Sequence, residues 1–360
     1  MKHLELFSGI GGFRLATDLL RKDGVMPFEC IGFSEIDKNA IKTYCANYST
    51  QGEVEIGDIV SFTSVHERIS SLPDFELLTG GFPCQTFSMM GRKTGFESKR
   101  EDRGQMFFRI ADILAVKKPK YVLLENVKNL FTLDKGNTYR VIESTLKELG
   151  YNVSPVVLNS TWFGLPQNRS RVIIFGTQEY NKDDLKTIFT ADAIRAAFEE
   201  LGANSSLSRY KNVLGILSKK VSEKYLLSER IKPTILADGS AGFKSKSDIN
   251  QLIARPLTAS MHKMHRACQD NYYSIDFIQS SGRTDPSKTL SKDELAQIPI
   301  RKITPEEAFM LQGFPSAFVD KARLVGVPDG ALYKQAGNAV SVNTIYSVLC
   351  FLIKKGLIAE

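Results

Sequence analysis

Two rhythms of apolar and polar positions run through the first half of the chain. Short apolar runs of strand length occur at residues 4–7, 30–34, 54–56, 75–79, 121–125, 153–158 and 172–176. Between them, residues 13–22, 38–48, 106–116 and 138–149 take the three-to-four spacing of amphipathic helices. In the last of these, Val141, Ile142, Leu146 and Leu149 share a face. Repeated strand–helix units predict an α/β fold with a mostly parallel sheet covered on both faces.

The rhythm changes after Thr177. Residues 179–299 form shorter, more polar segments of poor periodicity, and 205–211 and 239–247 have loop composition. Thr304-Pro305-Glu306-Glu307 then supplies a cap residue, a first-turn proline and early acids, which together start a helix. Residues 340–355 place Val340, Ile345, Val348, Leu349, Leu352 and Ile353 on one apolar face, predicted to pack back on the first lobe. The expected division is residues 1–178, a smaller lobe at 179–300, and a return segment at 301–360.

Composition narrows the class without choosing a function. The 360 residues are 42% hydrophobic and 24% charged, ordinary for a globular chain with a core. A net charge of +7 is compatible with a polyanionic partner. Cys30, Cys45, Cys84, Cys268 and Cys350 are odd in number and match no disulfide or zinc spacing, which suits a reducing compartment. Cys30, Cys45 and Cys350 lie in apolar or amphipathic runs and read as small buried hydrophobes. The first residues carry no secretory pattern, and no run approaches the 18 apolar residues of a membrane span. His262 and His265 lack further ligands at metal spacing, so no metal is expected.

Chemistry concentrates where strands end. Phe7-Ser8-Gly9-Ile10-Gly11-Gly12 follows the first strand and opens a helix, as a loop does that approaches a ligand closely. Glu35 ends the second strand, where an acid accepts ribose hydroxyls. These two features point to an adenosine-containing cofactor without saying which. Asp58, after the third strand, suits an adenine amine or a helix cap equally. Gly80-Gly81-Phe82-Pro83-Cys84-Gln85 brings a cysteine out at the carboxyl edge of the sheet, where a thiolate can act as a nucleophile. Glu125 ends the next long strand on the same edge. Gln167-Asn168-Arg169-Ser170-Arg171 adds two cations, and Gly337-Asn338-Ala339-Val340 precedes the final helix.

In this order, FSGIGG, SEID, GDI, GGFPCQTFS, ENV, QNRSR, the ITPEEAFMLQGFP stretch at 303–315 and GNAV resemble the bacterial cytosine-5 DNA methyltransferases of restriction-modification or orphan type, from Leu4 to Val340. The resemblance implies a Rossmann-like S-adenosylmethionine-dependent methyltransferase fold with a second, smaller target-recognition lobe at 179–300. It implies Cys84 as the nucleophile toward carbon 6 of cytosine and Glu125 at ring N3 and the exocyclic amine. Arg171 would hold O2, with Arg169 supporting that cluster. Phe7, Gly9, Gly11, Glu35, Ile36, Asp58, Ile59, Asn338 and Val340 would surround S-adenosylmethionine.

For DNA, the resemblance implies contacts from Ser88, Met90, Arg92, Lys93 and Arg103 in a mobile loop after Cys84. Met90 would stand where a side chain fills the gap left by the flipped base. Arg255 and Thr258 would lie beside that base, although the family's Thr-Leu order appears here as Leu257-Thr258. Double-stranded DNA is the expected partner, for a bacterial or phage-encoded monomer without membrane attachment, cytoplasmic and associated with the nucleoid. A cognate restriction endonuclease sharing the site without a stable complex is compatible with this. Three competing readings are a transfer-RNA cytosine methyltransferase, a dinucleotide-dependent oxidoreductase and an inactive DNA-binding module. The first would carry a Cys-Phe-Thr signature that the chain lacks, and the second leaves Pro-Cys-Gln and Glu-Asn-Val unexplained. The third is disfavoured because every expected chemical residue is present.

Overall fold

Each apolar run of the first half becomes a strand of one sheet. The computed structural model describes residues 1–83, 106–179, 182–202, 204–239 and 245–359. The strands are β1 Lys2–Leu6, β2 Glu29–Ser34, β3 Val54–Glu55, β4 Leu77–Gly81, β5 Tyr121–Val127, β6 Asn152–Asn159 and β7 Ser170–Thr177. They lie in the order β3-β2-β1-β4-β5-β7-β6. Pairs from β3 through β5 are parallel, whereas β7 runs antiparallel to both of its neighbours. Successive residues of the central strands enter different cores. Tyr121 and Leu123 face one, Val122 and Leu124 the other, which is why β5 reads as an unbroken apolar run.

Among the described residues, the helices of seven residues or more in the first half are α1 Gly12–Lys22, α2 Lys38–Asn47, α3 Met106–Lys117 and α4 Asn137–Glu148. α1 and α2 cover one face with Leu15, Leu20 and Tyr44, and α3 and α4 cover the other with Ile110, Leu114, Ile142 and Leu146. One expectation fails on α2. Its inward positions are Ala40, Thr43 and Tyr44, and Cys45 is the next step around the helix, so it is exposed rather than buried.

After β7 come α5 Lys182–Ile188 and α6 Ala191–Leu201. The poor periodicity expected from residue 179 does not hold over α6. Its Ile194, Phe198 and Leu201 recur at helical spacing and join the first core, as do Leu207, Val213 and Leu217. A third, separate core appears only later, from Leu227, Ile235, Leu236, Ile249, Ala267, Tyr272, Leu295, Ala296 and Ile300. It surrounds the antiparallel pair β8 Tyr272–Ser274 and β9 Ile300–Lys302.

The chain returns through α7 Pro305–Leu311, α8 Ala317–Leu324, α9 Asp329–Asn338 and α10 Val342–Lys354. The predicted start of α7 forms as a capping box, with the Thr304 and Glu307 side chains each accepting from the other's backbone N–H. Glu307 also takes a bidentate, fully buried ion pair from Arg301 at 2.7 and 2.8 Å. α10 packs on α1 and α6, as expected of a return to the first lobe, but with more than one apolar face. Every residue from Val342 to Leu352 is buried, including Asn343, Thr344 and Ser347. The span Asp329–Lys354 is in fact long and apolar enough to match a membrane span, yet 89% of its apolar 18-residue stretch is buried inside the protein, as in a core helix.

Candidate active site

The loops after β1, β2, β3, β4 and β5 open on one edge of the sheet, and the strand order reverses between β1 and β4. Connections diverge at such a point and leave a crevice at the carboxyl ends of the strands. A cleft of about 520 Å³ lies there, a size suited to a small molecule.

One end of the cleft is built by the glycine loop and the strand beside it. Phe7 takes a left-handed φ of 53°, which is costly for a bulky residue and concentrates at functional sites. Gly9 donates its N–H to Glu35 Oε2 at 2.9 Å, and Glu35 Oε1 accepts from the N–H groups of Ile36 and Asp37. Thus the carboxylate is fixed by three backbone donors while it lines the cleft. Ile36 stands on the rim and is 70% exposed, an apolar side chain left uncovered beside a cavity. Ile59, Asn338 and Val340 also line it. So does Asp58, whose two oxygens accept from Val60 and Ser61 N–H groups as the cap of the Ile59–Thr63 helix.

Gly11 is not among the described cleft-lining residues. It caps α1 in the left-handed region at φ 79°, against Tyr48, where a Cβ would fall 2.4 Å from the ring. Two side chains with no sequence signal join the cleft. Lys334 of α9 pairs with Asp37 at 2.6 Å across the mouth, and Gln335 sits beside it.

At the other end lies Glu125, buried at the end of β5. Because β7 is antiparallel, its first residues meet the last residues of β5, with Arg171 opposite Val127. Glu125 pairs with Ile173, so Arg171 is its diagonal neighbour on the same face. Arg171 Nε comes within 3.0 Å of Glu125 Oε1, but its N–H is misaligned, leaving Oε1 buried without a hydrogen-bond donor. Burial pushes the Glu125 carboxyl above its ordinary proton affinity, and Arg171 and Arg169 oppose that.

Arg169 also lines the cleft, with both Nη atoms committed to backbone and its Nε buried without a partner. Nη1 reaches the Leu257 carbonyl at 3.1 Å, and Nη2 reaches Gly337 and Ala339 at 3.2 and 2.9 Å. It acts as a strut between two loops, with only its charge acting toward Glu125. Burial, then Arg171, lower its proton affinity. Gln167 holds the same loop, accepting from the Leu257 N–H at 2.9 Å.

Thr258 is exposed, with its backbone packed directly on Gly337. Arg255 is half-buried and donates Nε to the Cys268 carbonyl at 3.2 Å. His265 Nδ1 lies 3.0 Å from Asp270 Oδ2. Cys84, Ser88, Met90, Arg92, Lys93 and Arg103 lie outside the described residues.

The sequence model of the C-5 cytosine-specific DNA methylases matches residues 1–354. The chain belongs to this family. It is 37% identical over 347 residues to the type II methyltransferase M1.ScrFI of Lactococcus lactis subsp. cremoris, covering 96% of this chain and 76% of that protein. It is 30% identical over 440 residues to the orphan methyltransferase M.SPRI of Bacillus phage SPR, covering 98% and 97%. Among solved structures, the Dnmt2 methyltransferase of S. pombe superposes with a TM-score of 0.71 at 19% identity, covering 100% and 99%. At that identity the likeness is one of fold. The protein is therefore a DNA (cytosine-5) methyltransferase, a membership that implies DNA as substrate and S-adenosylmethionine as methyl donor.

Proposed function

We propose that this enzyme methylates carbon 5 of a cytosine flipped out of duplex DNA at a specific sequence, through a covalent adduct with Cys84. The supporting observation is Glu125, a buried carboxyl of raised proton affinity in the cleft beside the cation Arg171. S-adenosylmethionine supplies an electrophilic methyl group when bound. The cleft residues fit it: Glu35 for ribose hydroxyls, exposed Ile36 for the adenine face, Asp58 and Ile59 for the adenine edge. Phe7, Gly9, Asn338 and Val340 line the rest. Gly11 serves this set indirectly, through the loop it terminates.

Carbon 5 of cytosine is a poor nucleophile until a thiolate adds to carbon 6. Protonated Glu125 donates toward N3 and offsets the negative charge that this addition puts on the ring. Arg171 holds O2. Once carbon 5 has bonded to the methyl group, loss of its proton lets the thiolate leave carbon 6 and the ring recover its aromaticity. Arg169 positions the two loops around this chemistry. Extrusion of the base costs about a few kcal/mol, offset by contacts in the cleft. Ser88, Met90, Arg92, Lys93, Arg103, Arg255 and Thr258 are assigned to DNA, with residues 179–300 as the recognition lobe. The reading extends to a monomer acting in the cytoplasm, with any cognate endonuclease working separately on the same site.

Duplex DNA containing 5-fluorocytosine tests it. The parent protein is expected to form an adduct stable to denaturation, and Cys84→Ala to form none while still binding cofactor. An adduct in the alanine variant sinks the assignment. Bisulfite sequencing of DNA from cells expressing the chain reads the target sequence and the methyl position together.

A further inference from the structure

The ladder between β4 and β5 ends at Gly81 opposite Glu125, so the next carbonyl, that of Phe82, has left the strand pairing. It is taken up by a side chain. Asn126 Nδ2 donates to Phe82 O at 3.0 Å, and Asn126 Oδ1 accepts from the Val127 N–H at 2.8 Å. Both Asn126 and Phe82 are buried. The orientation of the amide follows from chemistry, because a backbone N–H only donates and a carbonyl only accepts. Pro83 comes next, with no N–H and a locked φ, so an orientation imposed on the Phe82 peptide passes into the next residue with little slack.

We propose that Asn126 is a positioning residue for methyl transfer: by pinning the Phe82 carbonyl to the end of β5, it registers the segment leading into Cys84 against Glu125. This rests on the reading of Cys84 as nucleophile. One side chain thereby ties the strand end that leads toward Cys84 to the one that carries Glu125. Thiolate addition needs near-attack geometry, which a small displacement of either strand end removes.

Asn126→Asp isolates the donor. It keeps the size of the side chain and the acceptor for Val127 but sets an oxygen against the Phe82 carbonyl. Protonation of that buried carboxyl restores an O–H donor. With 5-fluorocytosine duplex and S-adenosylmethionine, adduct formation by Asn126→Asp is expected to be slower by about 100-fold at pH 8. Cofactor affinity should stay within about threefold of the parent. The deficit relative to the parent should shrink as pH falls and the carboxyl takes up its proton, a recovery that a merely structural role does not produce. A rate equal to the parent's, or a deficit unchanged by pH, overturns the proposal. If Asn126→Asp loses cofactor affinity as well, Asn126→Ser decides, since it removes the donor without burying a charge. A slow adduct with retained cofactor affinity supports the role, and a parental rate overturns it. Absence of an adduct with the parent protein removes the Cys84 reading itself, which separates the two failures.

Discussion

Burial raises the proton affinity of Glu125 even beside two cations. Burial dominates its environment, with Arg171 and Arg169 pulling the other way, so a protonated fraction persists above the usual carboxyl range. Glu125→Gln keeps the shape but cannot supply a proton. Tritium-methyl transfer is expected to fall by about 10²–10³-fold, with cofactor binding by calorimetry little changed. A variant within tenfold of the parent would be inconsistent with this role. His3 shows the opposite shift in a place that serves only the fold. Burial first, then Arg14 and the N-terminal charge, lower its pKa to about 3, and both ring nitrogens lack hydrogen-bond partners. Below the unfolded value of 6.5, the unfolded chain therefore binds a proton that the folded one refuses, and stability falls with pH. The contribution lost between pH 7 and 5 is about 2 kcal/mol. His3→Phe, beside Phe28, should flatten that part of the urea-denaturation profile, and an unchanged slope would place the acid sensitivity elsewhere.

Among the elements, the loop at 254–259 and the turn ending α9 are set against each other without slack. A Cβ on Gly337 would meet the Thr258 carbonyl carbon at 2.2 Å, its oxygen at 2.3 Å and Ala259 N at 2.4 Å. All three are backbone atoms, so no side-chain rotation relieves the contact. Arg169 and Gln167 bind the Leu257 carbonyl and N–H, and Arg169 also binds the Gly337 carbonyl, which prevents the loop from drifting away. Gly337→Ala is therefore expected to cost about 1–3 kcal/mol of stability and to raise KM for DNA more than KM for cofactor. Thermal unfolding and initial-rate kinetics measure the two effects. A parental KM for DNA would mean that Thr258 does not act at the base.

For the molecule as a whole, core membership suggests where recognition can be exchanged. Residues 191–217 feed the sheet's own core, whereas the span 227–300 builds a separate one and lends Ala254, Leu257, Met261, Tyr273, Phe277 and Ile278 to the first. Replacing residues 226–300 with the matching region of another family member, those six positions kept, should leave the catalytic core folded and move the methylated sequence, with the methyl group still on carbon 5. Replacement of all of 179–300 is expected to be less stable, because it takes Ile194, Phe198 and Val213 from the main core. Bisulfite sequencing and thermal unfolding of the two chimeras check both statements. A folded, active 226–300 chimera that keeps the original target would move recognition elsewhere.

Local pattern carried much of this protein. Strand and helix positions in the first half agree with the apolar rhythm to within two residues, because a doubly covered sheet demands unbroken apolar runs between amphipathic helices. The helix start at Thr304 was legible too, since a cap works within a few residues of itself, as were the strand-end positions of the glycine loop, Glu35 and Glu125. What lay beyond local pattern depended on which segments meet. Nothing in the rhythm of β7 says that it runs antiparallel, yet that direction alone brings Arg171 to Glu125 at the same edge of the sheet. Arg169 read as support for the cluster around the base, and tertiary contacts commit its two Nη atoms to three carbonyls distant in sequence. α10 read as one-faced because the sequence does not count its neighbours, and the packing of α1 and α6 buries it on every side. A side chain's periodicity is fixed by its own backbone, whereas its partner is fixed by the order in which strands assemble. The first is written locally along the chain, and only the folded structure decides the second.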